Sequence, residues 1–101
     1  MKTAIQSKLR ADSFWNDLSI KDRQDIIWEA IDQKSRMGGY VASLTMDMTR
    51  FNYKQDELAG YMGELLTPFN AWNYKTSYEV VTMAKDVIGK VEIKINWVNA
   101  I

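Results

Sequence analysis

Apolar residues recur along this chain at two different periods. From Ser19 onward, Ile20, Ile27 and Ile31, with Ile26 and Ala30 beside them, fall at helical spacing. Ser19 is a good N-cap, Asp22 stands where a capping box places its acid, and Gly38-Gly39 supplies a stop. The pattern predicts a helix over 20–36. Toward the other end, Val91, Ile93, Ile95 and Trp97 alternate with Glu92, Lys94, Asn96 and Val98, the period of a half-buried strand over 91–98. A lone strand leaves backbone groups and an apolar face unsatisfied. Its neighbour is either residues 40–49 of this chain or the same strand of a second copy.

Residues 40–51 carry both periods at once. Tyr40, Ala42, Leu44, Met46 and Met48 alternate as in a strand, while Val41, Leu44, Met48 and Phe51 form a helical stripe. Periodicity alone does not choose between them. Weaker helical patterns cover 2–11, 54–62, 66–74 and 77–88, and Ser13-Phe14-Trp15 starts a short turn or helix. The punctuation is sparse: Gly38-Gly39, Gly60, Gly63, Pro68 and Gly89.

Composition narrows the function more than the fold. The 101 residues are 47% apolar, enough for the core of one domain. Thirteen basic residues balance thirteen acidic ones, so no global charge points to nucleic acid or membrane. Without histidine or cysteine the chain lacks the usual acid/base group, thiolate chemistry and the commonest metal ligands. No catalytic residues, metal or cofactor are expected, and an enzyme is not. Asp12, Asp17, Asp22, Asp25, Glu29 and Asp32 interleave with Lys21, Arg23, Lys34 and Arg36. They read as a solvated helix face, although Asp25 with Glu29, or Asp22 with Asp25, has a spacing that could share a cation. No apolar run approaches the roughly 20 residues of a membrane span, and Met1–Phe14 lacks the apolar stretch of a leader, so a cytoplasmic protein is expected. Trp15, Trp28, Trp72 and Trp97 read as core or subunit-contact residues, and Met46, Met48 and Met62 as gap-filling core or an adaptable contact surface.

The stretch Tyr53-Lys54-Gln55-Asp56-Glu57-Leu58-Ala59, followed by Gly63 and, nine residues later, Trp72, resembles the signature of the Cro/phage-repressor-like (XRE-type) helix-turn-helix family. Phe69 falls on that family's buried Ile/Val position. Residues 78–93, YEVVTMAKDVIGKVEI, are similar to the segment that follows in antitoxin-like members. The likeness spans about 42–95 and implies that 40–51 is helical, with Asn52 in the left-handed position that ends the helix. The fold it implies is mainly α, a repressor-like helix-turn-helix bundle. Residues 1–37 would form an N-terminal helical extension, 40–89 the core and 90–101 one C-terminal β-strand.

On this resemblance the expected function is a small DNA-binding transcriptional regulator of repressor or antitoxin type. Lys54 and Gln55 would touch phosphate, Thr67, Asn70 and Asn73 would face the major groove of duplex DNA, and Tyr74 and Lys75 would assist. Val91, Ile93, Ile95 and Trp97 would join two copies as a homodimer. Residues 40–75 nevertheless hold three basic groups against four acidic ones, and the segment 65–74 has no arginine. Pro68 is tolerable only in the first turn of a recognition helix, with Thr67 as its cap. The second expectation is therefore the same scaffold used as an inhibitor or modulator of the kind phages encode, binding a host or toxin protein through its exposed aromatics.

Overall fold

The computed structural model describes residues 3–16 and 18–99 and, within α1, omits the side chains at 8, 9, 12, 13 and 16. Asp17, the side chain of Asp12 and the ends of the expected 2–11 helix and 90–101 strand segment therefore lie outside the described residues. The order of elements is α1 (Ala4–Asn16), α2 (Ile20–Arg36), β1 (Val41–Asp47), a short 3-10 turn (Thr49–Phe51), α3 (Gln55–Ala71), β2 (Lys75–Ala84) and β3 (Val87–Asn96). The strands make an antiparallel sheet in the order β1-β3-β2. The chain is thus α+β, three helices with a three-stranded sheet among the described residues, and not the mainly α bundle that the resemblance implied.

α2 forms where its pattern predicts. Ser19 Oγ accepts from the Asp22 N–H at 3.1 Å, and Asp22 Oδ2 accepts from the Ser19 N–H at 3.2 Å, so both directions of the capping box are made. At the far end Gly38 adopts φ +81°, and the Gly38 and Gly39 N–H groups close back onto the Ser35 and Lys34 carbonyls. α1 starts on a reciprocal pair of the same kind, Thr3 with Gln6.

Three expectations are overturned. Residues 41–47 are a strand: Ala42, Leu44 and Met46 turn inward opposite Ile95, Ile93 and Val91 of β3, so both strands bury their apolar rows together. Residues 54–62 and 66–74 do not form two crossed helices. One helix runs unbroken from Gln55 to Ala71, because Leu58, Met62, Leu65, Leu66 and Phe69 all lie on its buried side. The 77–88 segment is not helical either. Its Thr, Tyr and Val residues favour a strand, and a two-residue turn at Lys85-Asp86 folds it back onto β3. The register of β2 shifts on both sides of Thr82, between Val80 and Met83, where Thr82 Oγ1 accepts from the Lys90 N–H at 2.9 Å and leaves no room for a Cβ on Gly89.

Asn52 does sit in the left-handed region, φ 51°, but it ends the 3-10 turn rather than a long helix. The core is one cluster between the inner face of the sheet and the buried stripes of α2 and α3. Met46, Met48, Met62, Phe69, Ile88 and Ile93 are among its fully buried members.

Candidate functional site

β1 and β2 are both antiparallel to β3, so both begin at the end of the sheet where β3 finishes. Val41, Asn96 and Lys75 are aligned across the three strands there. Each flanking segment brings a large apolar side chain that the core does not take up. Met37 at the close of α2 is 81% exposed, Tyr40 before β1 58%, Trp72 after α3 69% and Val98 after β3 53%. At the same end lies a run of half-buried and buried rings. Trp28 packs on Phe69 at 4.4 Å and on Tyr74 at 5.6 Å, and Tyr74 meets the Trp97 edge at 6.0 Å. The Trp97 N–H donates to the Tyr40 carbonyl at 2.9 Å, tying the end of β3 to the start of β1. A shallow groove lined by Ala30, Gln33, Lys34, Met37, Ala42 and Ser43 opens beside this end. Exposed Trp, Tyr and Met over a stiff aromatic base is the composition of protein-contact surfaces, because large rigid side chains bury area at little entropic cost.

The residues expected to read DNA do not gather on one face. Lys54 and Gln55 mark the start of α3, whereas Asn73, Tyr74 and Lys75 follow its far end, about 24 Å away along a helix rising about 1.5 Å per residue. Thr67 Oγ1 donates to its own helix, to the Gly63 carbonyl at 2.6 Å, and Asn70 Oδ1 accepts from Thr76 Oγ1 at 2.8 Å. Asn73 occupies a left-handed turn position, φ 69°. Asn70, Asn73, Tyr74 and Lys75 thus belong to the aromatic end, with Trp72 exposed among them instead of sealing a helix pair. The expected dimer strand is placed differently too. β3 is central, both of its edges are occupied within the chain, and Val91, Ile93 and Ile95 are fully buried with Trp97 half-buried.

One charged residue of the α2 face was misread as solvated. Arg23 is completely buried. Its guanidinium donates to the Asp47 carbonyl at 3.2 Å, to the Trp15 carbonyl at 2.7 Å and to the sulfurs of Met46 and Met48, and it lies 5.2 Å from the ring centres of Trp15 and Phe51. Burial pushes its pKa below the usual arginine range, against the opposing pull of Tyr61 and Asp47. The Asp47 carboxylate accepts from both the backbone N–H and the hydroxyl of Thr49. Tyr61, tilted against the rings of Phe51 and Tyr53, keeps a buried hydroxyl with no hydrogen-bond partner, and burial raises its pKa above the usual tyrosine value. The signal for Arg23 was its spacing: it stands four and eight residues before Ile27 and Ile31, on the apolar stripe itself. Enclosed by rings and backbone, Arg23 fastens α1, α2 and β1 together, which is a structural task.

No helix among the described residues is long and apolar enough to cross a membrane, and those residues contain no group of three or more acidic side chains arranged to hold a metal. Compared with protein-family models, curated proteins and solved structures, the chain matches none.

Proposed function

We propose that this protein is a small binding module, an inhibitor or modulator, that captures a protein partner through the aromatic end formed by Met37, Tyr40, Trp72 and Val98. The observation that carries the reading is the 69% exposure of Trp72, two residues before Tyr74 and its packed rings. Leaving an indole in water forfeits its burial energy, and a surface with Tyr and Met beside it recovers that energy against a partner. The even charge balance suits such a contact better than a phosphate backbone, which calls for local positive excess. The helix pair on which DNA recognition rested is not formed, and its expected contacts are split between the two ends of α3.

The test is affinity capture from the native host with the wild-type chain and with a Trp72→Ser, Tyr40→Ser double variant, both checked for folding by circular dichroism. One stoichiometric protein partner is expected on the wild type. Loss of an indole anchor costs about 2 kcal/mol or more, so the purified partner should bind the variant at least about thirtyfold more weakly. Equal affinity for both chains, or recovery of nucleic acid alone, overturns the reading.

A further inference from the structure

The two edges of the sheet are not equivalent. Beside β1, α1 contributes Ala11 and Trp15 to a recess shared with Thr45 and Asp47. β2, on the opposite edge, has no described strand beyond it, and eight of its ten residues are exposed. An open edge of this length presents a row of backbone donors and acceptors that natural proteins cover, bend or pair. Here the irregularity is confined to Val80–Met83, and Lys75–Val80 stays regular. We propose that this regular half of β2 pairs antiparallel with the same segment of a second copy about a two-fold axis at Ser77, giving one continuous six-stranded sheet.

The charges select the register. Lys75, Ser77 and Glu79 share the outer face of β2, while Thr76, Tyr78 and Val80 share the face toward the helices. A two-fold axis perpendicular to the sheet keeps each face continuous, so a residue on one face can only oppose a residue of the same face, and the axis must pass through a residue rather than between two. An axis at Glu79 sets Glu79 against itself, one at Tyr78 sets Ser77 against Glu79, and one at Thr76 sets Lys75 against Ser77. Only the axis at Ser77 places Lys75 opposite the Glu79 of the second copy, twice by symmetry.

That pairing also resolves a local conflict. Within the chain Glu79 lies directly across from Glu92, a like-charge pair that weakens a sheet, and Lys94 is engaged with Glu92 at 3.7 Å. Lys75 from the second copy would stand on the other side of Glu79. On the opposite face, Tyr78, 40% exposed, would lie against Thr76 of the neighbouring strand. The shallow depression lined by Ser77, Tyr78, Glu79, Glu92 and Lys94 marks the same outer surface as uncovered. The proposed seam starts at Lys75, beside the aromatic end, but uses the open edge of β2 and none of Met37, Tyr40, Trp72 or Val98, and its test reads self-association rather than capture of a different protein.

The test combines charge exchange with cross-linking. Along one strand Lys75 and Glu79 are about 13 Å apart, too far to compensate each other within a copy. Sedimentation velocity over a concentration series should show a wild-type dimer. Glu79→Lys and Lys75→Glu, each alone, should raise the dissociation constant about tenfold, and the two together should restore it to within about threefold. Because the chain contains no cysteine, Ser77→Cys should oxidise to a disulfide-linked dimer, while the control Thr45→Cys near the other edge should not. A wild type that remains monomeric, single reversals that leave dimerisation unchanged, a double exchange that fails to restore it, or equal cross-linking of the two cysteine variants would each overturn the proposal. Circular dichroism confirms that each variant is folded before it is counted.

Discussion

α2 and α3 are both seventeen residues long and both pack on the inner face of the sheet, yet they hold their shape for different reasons. α2 is specified locally. A reciprocal Ser19–Asp22 cap opens it, a left-handed Gly38 closes it, and its interior contains neither glycine nor proline. α3 contains Gly60, Gly63 and Pro68, and its opening has only half a capping box, the Lys54 N–H donating to Glu57 Oε1 at 3.2 Å. Local rules would break it, since an internal glycine costs about 1 kcal/mol and an internal proline about 3 kcal/mol relative to alanine. What holds it is tertiary. Five buried side chains from Leu58 to Phe69 are anchored on the core.

A contact from α2 also reaches the backbone beside the proline. Pro68 has no N–H for the Glu64 carbonyl four residues earlier. The Gln24 amide of α2 donates at this point, at 3.1 Å to the Leu65 carbonyl and at 3.5 Å to Glu64. α2 therefore braces α3 at the turn that the proline weakens.

Substitutions in each helix should separate these two sources of stability. The largest effect is expected at Arg23 on α2. Arg23→Ala leaves a cavity and removes the donors to the Trp15 and Asp47 carbonyls, and should destabilise by about 3–5 kcal/mol in chemical denaturation. An effect below about 1 kcal/mol would show that the arginine is solvated after all.

A smaller effect belongs to the brace between the helices. Gln24→Ala should cost about 1 kcal/mol in the native chain, and much less in a Pro68→Ala background where the helix can supply its own bond. Additive costs in this double-mutant cycle would mean that the amide does not compensate the proline.

The smallest effect tests the continuity of α3 directly. Gly63 has no positive φ, and a Cβ built on it meets nothing within 4 Å, so Gly63→Ala should stabilise the protein by about 0.5–1 kcal/mol. In a helix-turn-helix corner the same change would destabilise, and the sign read from thermal or denaturant unfolding separates the two structures.

The difficulty at 40–51 has the same origin. The segment satisfies a strand period and a helix period together, and only the alternating row of β3 lying opposite selects the strand. The helical pattern expected over 77–88 is overridden in the same way: Tyr78, Val80, Val81 and Thr82 favour a strand, and the pairing with β3 selects it. The aromatic end was invisible for a geometric reason. Met37 with Tyr40, Trp72 and Val98 come from three separate stretches of the chain and share one end of the sheet because β1 and β2 run the same way on either side of an antiparallel β3.

The chain by itself settled those features whose partners lie within a few residues: the caps and length of α2 and the alternation of Val91, Ile93 and Ile95. Packing decided the rest. Whether 40–51 is extended, whether α3 passes through two glycines and a proline, and whether Arg23 faces water or core each depend on groups many residues away, and there the gain from burying a shared apolar surface outweighs local preference.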